Sequence, residues 1–167
     1  HKKEVGKSVA IIGAGGIGFD VAEYLAHHGT SPSMDNELFK KEWGVDDNYT
    51  IPGALQKPEP EPSAREIYLL KRSKGKHGGN LGKTTGWIHR SSLRMKNVKM
   101  LGEVQYQKID DAGLHLIHEG EMKTLPVDNV IICAGQNPLR ELFEPLKEKG
   151  ISVHLIGGAD EAKELDA

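Results

Sequence analysis

The sequence predicts an α/β fold, in which helices flank a parallel sheet and a small antiparallel β-meander forms one crossover. Residues 8–14 and 130–135 are nearly all-apolar runs that reach a glycine, which indicates parallel strands buried on both faces. Apolar residues at helical spacing follow the first run. Residues 98–125 alternate short strand-like segments with turn sequences, and this pattern is typical of a meander.

The first half of the chain supplies a strand, a helix, a strand and a helix. The first helix is predicted over 16–28, with Gly29 as the residue that ends it. The next strand is predicted over 65–73. A glycine-rich basic loop follows, and it leads into a short helix that we expect Thr84 or Thr85 to cap.

The second half adds the meander and then a strand, a helix and a strand. The meander turns are predicted at DDAG, residues 110–113, and at HEGE, residues 118–121. The segment 138–150 is predicted to be a helix that Pro145 interrupts and a glycine ends. A final strand is expected within 152–160.

Residues 31–63 interrupt this order and are predicted to be an insertion. The segment is rich in proline and contains the acidic piece MDNELFKKEWGVDD. Asp35 is a candidate cap for a short helix that carries Trp43, and QKPEPEPS is expected to be extended and exposed. Two interpretations stay open: a lid or partner surface, or a decorated loop between two core elements.

The composition argues against several classes of function. The chain has 167 residues and a net charge of −2, whereas a nucleic-acid surface needs a strongly basic face. No apolar run approaches membrane-spanning length and no signal-peptide pattern is present, so a membrane partner is not expected. The single cysteine, Cys133, argues against a disulfide framework and a multi-cysteine metal site, and it favours a cytoplasmic location.

The glycine-rich turn after the first strand predicts a dinucleotide-binding site. Gly13, Gly15 and Gly18 stand at G-x-G-x-x-G spacing between a predicted strand and a predicted helix, which is the context this motif needs. The first glycine permits the tight turn, the second lets the backbone touch a pyrophosphate, and the third lets the helix pack close to the sheet. Gly16 is a further cofactor-binding candidate, because the N–H groups of the helix start meet the phosphates. The alternative is a tight strand-to-helix turn that binds no ligand. It is disfavoured because three glycines in this register carry an entropic cost that packing alone does not require.

The end of the second strand indicates which dinucleotide binds. NAD-specific domains place an Asp or Glu there, and NADP-specific domains place an Arg nearby for the 2′-phosphate. Here Lys71, Arg72 and Ser73 stand at the tip, and the nearest acid, Glu66, lies inside the strand. Lys83 adds positive potential from the following loop. The sequence therefore favours NADP(H) over NAD(H), provided that the insertion explains the long spacing from the glycines.

Several stretches together resemble a known family. They are AIIGAGGIGFDVAEYL (10–25), LGKTTGWIHR (81–90), VDNVIICAGQNP (127–138) and VHLIGGADEAKELDA (153–167). Together they are similar to the pyridine-nucleotide domain of the bacterial NADPH-dependent 2,4-dienoyl-CoA reductases, the iron–sulfur flavoprotein relatives of old yellow enzyme. The resemblance covers nearly the whole chain, although many families share the glycine motif.

The resemblance implies a larger parent enzyme of fatty-acid β-oxidation. Members carry a barrel that binds FMN and substrate, an iron–sulfur cluster, and paired FAD and NADPH domains. Electrons pass from NADPH through FAD, the cluster and FMN to the dienoyl thioester. Residues 1–167 would be the inserted NADP(H)-binding domain, with 151–167 as the return toward the FAD domain. The implied partners are the FAD domain and the flavin barrel of the same parent chain.

Two motifs resemble contacts at the FAD junction. VIICAGQNP, which contains Ala134 and Gly135, is similar to the second conserved strand of two-dinucleotide flavoproteins. LIGGAD is similar to the later strand whose acidic residue meets the flavin, but Gly158 stands where many relatives have Asp, and Asp160 comes two residues later. With one glycine motif and no cysteine cluster, the isolated chain is expected to be inactive, and no residue is assigned as catalytic or as a metal ligand.

Other functions stay open from the sequence. The same module occurs in enoate reductases and in amine dehydrogenase-like enzymes, where the nucleotide is thought not to react. A third interpretation is a nucleotide-sensing module without redox chemistry. His89 and Arg90 either line the nucleotide edge or lie beside Trp87 and Ile88 that pack their helix on the sheet. Cys133 is expected to be a packing residue in a buried strand.

Overall fold

The computed structural model describes residues 3–162, and its elements follow the predicted order as far as the last predicted helix. The strands are β1 (Ser8–Ile12), β2 (Glu66–Leu70), β3 (Lys99–Leu101), β4 (Gln105–Asp110), β5 (Gly113–His118), β6 (Glu121–Leu125) and β7 (Asn129–Ile132). The α-helices are α1 (Gly16–Ala26), α2 (Asn36–Trp43), α3 (Gly86–Met95) and α4 (Phe143–Glu148). No helix among residues 3–162 is long and apolar enough to cross a membrane.

The chain forms two compact units that divide after Cys133. Both sheets and helices α1 to α3 belong to the first unit. The second unit begins at Ala134 and contains α4 and a 3₁₀ turn at Gly157–Ala159. The predicted nucleotide-binding turn and the predicted strand tip therefore lie in the same unit.

The parallel sheet has the strand order β3-β2-β1-β7, with every neighbouring pair parallel. Its register places Ile12 beside Leu70, and Leu70 beside Leu101. The carboxyl ends of β1, β2 and β3 therefore lie at one edge of the sheet, where open α/β sheets bind ligands. The predicted fold class is confirmed.

Helices α1 and α3 pack on one face of the sheet, and the meander packs on the other. Alternate side chains of each strand point to opposite faces, so each strand contributes to both contacts. Val9 and Ile11 of β1 pack with α1 and α3, whereas Ala10 between them packs toward the meander. The meander is the antiparallel sheet β4-β5-β6, whose turns fall where the sequence predicts them. The buried apolar residues on the helix side include Phe19, Ala22, Leu25, Ile67, Leu69 and Leu93, and those on the meander side include Leu70, Val104, Leu114, Leu116 and Leu125.

The insertion carries α2 and packs against α3. The Asp35 carboxylate accepts hydrogen bonds from the N–H groups of the first turn of α2, as predicted. The rings of Trp43 and Trp87 meet edge to face, with centroids 6.4 Å apart. Glu42 and Lys96 form an ion pair at 3.4 Å, and both side chains are more than nine-tenths buried. The insertion is therefore anchored on α3, while the segment after Leu55 lacks regular structure and is largely exposed.

Several boundaries differ from the prediction. Thr85 is the residue before α3, but no side chain caps this helix, because the backbone of Thr85 is itself helical. Pro145 does not interrupt a helix. Helix α4 begins at Phe143, so Pro145 lies in the first turn, where its missing N–H would have no intrahelical partner.

The predicted strands near the end of the chain also differ. Strand β7 is an edge strand rather than one buried on both faces, and Ile132 is 70% exposed. No strand occurs at 152–160 within the described residues. The alternation of half-buried Val153 and Leu155 with exposed neighbours favours an extended backbone, but a strand also requires a pairing partner that a local pattern cannot supply.

Candidate dinucleotide-binding site

The turn between β1 and α1 is built around two glycines that the fold requires. Gly13 has φ +113°, a backbone conformation that favours glycine. Its N–H donates to the Leu70 carbonyl at 2.9 Å, which ties the turn to the end of β2. A Cβ atom on Gly18 would lie 1.9 Å from the Gly13 carbonyl oxygen. Gly13 is therefore explained by its backbone conformation, and Gly18 by the close approach of α1 to the turn.

Gly15 differs, because the fold does not require a glycine there. Its φ is −85°, which any residue adopts, and a Cβ atom would meet nothing within 4 Å. No side chain caps the helix that begins at Gly16. The first bond into the helix runs from the Phe19 N–H to the Gly15 carbonyl at 3.1 Å, so the N–H groups at the start of α1 remain available to an anion. The open space and the free donors fit a pyrophosphate.

The basic loop between β2 and α3, residues 71–85, contacts this turn directly. The Gly78 N–H donates to the Ala14 carbonyl at 3.0 Å, and the Arg90 guanidinium donates to the Gly78 carbonyl at 3.2 Å. The loop is thus fixed between the glycine turn and α3. The predicted site residues Gly13 to Gly18 and the strand tip are brought to the same edge of the sheet.

The three residues at the β2 tip have different surroundings. The Lys71 ammonium donates to the carbonyls of Lys74 and Lys76, at 3.0 and 2.8 Å. Lys71 therefore supports the loop backbone, whereas Arg72 and Ser73 are exposed at the surface. Arg72 and Ser73 are the tip residues free to meet a phosphate. Lys83 is also exposed, further along the loop.

An acidic residue from the end of another strand lies beside this basic tip. Glu103 follows β3, and its carboxylate is 3.6 Å from the Lys74 ammonium. Parallel pairing of β2 with β3 places these two strand ends together, and no local sequence signal predicts that contact.

Burial raises the pKa of Tyr106 to about 12, although the charge of Arg72 acts in the opposite direction. The phenol therefore stays neutral beside the basic tip.

His89 and Arg90 hold α3 to its neighbours. The His89 Nδ1 atom is 2.8 Å from a Glu23 carboxylate oxygen on α1. Of the two alternatives, packing of α3 on the sheet by Trp87 and Ile88 is not what the structure shows, because Trp87 is 56% exposed against Trp43 and Ile88 is 37% exposed outside the buried core. Leu93 packs α3 on the sheet, since it is fully buried in the core cluster with residues of β1 and β2.

The remaining predicted residues lie at or after the division between the units. Ala134 and Gly135 begin the second unit and are exposed. Arg140 donates to the backbone carbonyls of Ala159 and Asp160 within that unit. Cys133 is half-buried in the first unit, and burial raises the pKa of its thiol. Among residues 3–162 no group of three or more His, Cys, Asp or Glu side chains is placed to hold a metal ion.

Comparison with known proteins gives one family match. The sequence profile of the pyridine nucleotide-disulphide oxidoreductases matches residues 1–160. A metal reductase from Desulforamulus reducens is 27% identical over 166 residues, which cover 95% of this chain and 23% of that protein.

Solved structures share the fold at low sequence identity. A complex of 2-naphthoyl-CoA reductase with 2-naphthoyl-CoA has a TM-score of 0.68 and 19% identity, over 97% of this chain and 19% of that chain. Bacillithiol disulfide reductase from Staphylococcus aureus has a TM-score of 0.54 and 16% identity, over 84% of this chain and 32% of that one. The chain thus spans only about a fifth to a third of the length of these relatives.

Proposed function

Because the chain belongs to the pyridine nucleotide-disulphide oxidoreductases, a flavoprotein family that binds NAD(P)H and FAD, we propose that it is the NADPH-binding module of a 2,4-dienoyl-CoA reductase. In this role it delivers the hydride of NADPH to FAD for the reduction of unsaturated acyl-CoA. The observation that carries the nucleotide-binding part is the open space at Gly15 beside the uncapped start of α1. The acyl-CoA substrate is supported by the resemblance of LGKTTGWIHR and VHLIGGADEAKELDA.

The residues of this chain bind and orient the nucleotide, which supplies the hydride when bound. The N–H groups at the start of α1 hold the pyrophosphate, and the missing side chain of Gly15 lets the backbone approach it. Arg72 and Ser73 hold the 2′-phosphate, with the planar guanidinium as the main donor. Lys71 positions these residues through its hydrogen bonds to the loop carbonyls.

The rest of the chemistry belongs to the proposed parent enzyme. FAD binds a neighbouring domain of the same parent chain, FMN and the acyl substrate bind its barrel, and the parent also carries an iron–sulfur cluster. Ala134 and Gly135 face the FAD domain in this proposal, and the parent is cytoplasmic.

The metal reductase relative favours a second candidate, in which the same module supplies electrons to a different acceptor. A related flavoprotein or a non-catalytic nucleotide-binding module would share the same nucleotide site.

Calorimetric titration of the 167-residue chain with NADPH and with NADH tests the nucleotide part of the proposal. We expect NADPH to bind more tightly, since only NADPH carries the 2′-phosphate. Equal affinities would contradict the role of the β2 tip. Absence of binding by either nucleotide would contradict the nucleotide site as a whole.

A second measurement tests the division of chemistry between this chain and its parent. The flavin-free chain should bind NADPH without oxidising it when a 2,4-dienoyl-CoA is supplied, because hydride transfer needs the donor and acceptor in contact. The absorbance of the reduced nicotinamide should stay constant over hours. Substrate-dependent loss of that absorbance would place the active site inside this chain.

A further inference from the structure

A basic groove of about 510 Å³ lies between the basic loop, α3 and β3. Its volume is within the usual range for small-ligand sites. Lys76, His77, Arg90 and Arg94 line it, and the rest of its lining is Gly75, Val98 and Met100. The lining includes no acidic side chain, and it includes neither the glycine turn nor the exposed tip residues Arg72 and Ser73.

The imidazole of His77 is the unusual group in this lining. Its Nε2 atom is buried and has no hydrogen-bond partner among the described residues, whereas buried polar atoms normally have one. Burial lowers the pKa of His77, and the positive charges of Lys71 and Arg94 act in the same direction. The backbone carbonyls of Leu101 and Leu69 raise the pKa of His77, but the net shift of this pKa is still downward. The free protein therefore holds a neutral imidazole among cations.

The two arginines are placed to share one ligand. Arg90 and Arg94 are four residues apart on α3, so their side chains lie on the same face of the helix. The hydrogen bond from Arg90 Nη1 to the Gly78 carbonyl positions this guanidinium and leaves its other N–H donors. Arg94 is exposed at the surface of the groove. Arginine donors in this arrangement match the oxygens of a phosphate.

We propose that this groove binds a phosphomonoester dianion, with Arg90 and Arg94 as its principal donors and Lys76 and His77 beside them. A dianion neutralises the excess positive charge of the lining and stabilises the protonated imidazole. The ligand has two sources with the same chemistry, the 2′-phosphate of NADPH or a separate phosphorylated molecule. In the first case the groove would hold the 2′-phosphate in place of Arg72 and Ser73, which would overturn that part of the proposed function.

Histidine NMR of the 167-residue chain tests the site without any nucleotide. The His77 resonance is assigned by its loss in His77→Gln, and inorganic phosphate is titrated against chloride at equal ionic strength. We expect phosphate to raise the pKa of His77 by about 1, the size of effect that a nearby opposite charge produces. Arg94→Gln should weaken phosphate binding about 10-fold, as expected for loss of a charged hydrogen bond. Lys57→Gln removes an exposed charge outside the lining and should leave the affinity unchanged.

Titration with NADPH and NADH then distinguishes the two sources. If NADPH shifts the His77 resonance and NADH does not, the 2′-phosphate occupies the groove. If inorganic phosphate shifts it and NADPH binds without doing so, the groove takes a separate ligand. The proposal is overturned if phosphate and NADPH both leave His77 unchanged, or if Arg94→Gln and Lys57→Gln weaken phosphate binding equally. The phosphate measurement stands even if neither nucleotide binds, so it is independent of the proposed function.

Discussion

The turn after β1 and the loop after β2 lie at the same sheet edge, but different forces shape them. In the turn, Gly13 and Gly18 are required by backbone conformation and by the close approach of α1. In the loop, the conformation depends on contacts with other elements, such as the hydrogen bonds of Gly78 with the Ala14 carbonyl and with the Arg90 guanidinium of α3. A short motif can therefore specify a turn, whereas this basic loop takes its shape from the rest of the molecule.

Gly15→Val should have the largest effect on nucleotide binding. The branched side chain fills the space where the backbone meets the pyrophosphate, yet it meets no protein atom within 4 Å at its Cβ position. We expect the domain to fold and calorimetry to detect no NADPH binding. The matched control is Gly158→Val, a second glycine without close neighbours, which should bind NADPH normally. A Gly15→Val protein with wild-type affinity would mean that the motif serves only the turn.

Gly18→Ala should have the largest effect on stability. The new Cβ atom would lie 1.9 Å from the Gly13 carbonyl oxygen, so the helix or the turn has to move. Overpacking of this kind costs about 3 kcal/mol, more than the gain of about 1 kcal/mol from replacing a helical glycine with alanine. Urea unfolding should show a net loss of stability, while Gly15→Ala should remain close to the wild type. Equal stabilities of the two variants would remove the distinction between a structural and a functional glycine.

Arg72→Ala tests the loop side of the comparison. Loss of its hydrogen bonds to the 2′-phosphate should weaken NADPH binding by about 1.5–3 kcal/mol, and NADH binding should stay nearly unchanged. Calorimetry with both nucleotides measures the difference. An equal loss for NADPH and NADH would show that Arg72 provides only general attraction for anions.

Lys71→Met should have the smallest effect. The ammonium donates to two loop carbonyls, so its loss should cost about 1 kcal/mol of stability. The amides of residues 74–77 should exchange with solvent faster. The preference for NADPH over NADH should change less than in Arg72→Ala. A change as large as that of Arg72→Ala would place Lys71 on the phosphate instead of on the loop.

Much of the fold could be predicted because its signals are local. The apolar run at β1, the helical spacing after it and the turn residues of the meander each specify their own element. The cap of α2 by Asp35 was predictable for the same reason. The predicted strand near Leu155 was wrong because strand formation depends on a partner elsewhere in the chain.

The candidate site was only partly accessible to sequence reasoning. The role of Gly13 and Gly18 follows from motif spacing, but the open space at Gly15 is visible only in the structure. The lysine and arginine residues of the basic loop and of α3 look equivalent in sequence. The structure separates Lys71, which binds loop carbonyls, from exposed Arg72 and from Arg90, which donates to Gly78.

Local sequence patterns suffice to predict the α/β class, the order of the elements through α4 and the position of the glycine turn, because hydrophobic periodicity and glycine conformation act over a few residues. Tertiary contacts determine that Glu103 lies beside the basic tip, that α2 packs on α3, and that the buried Nε2 atom of half-buried His77 lies beside cations. Those contacts join residues far apart in the chain, and no local pattern encodes which surfaces meet.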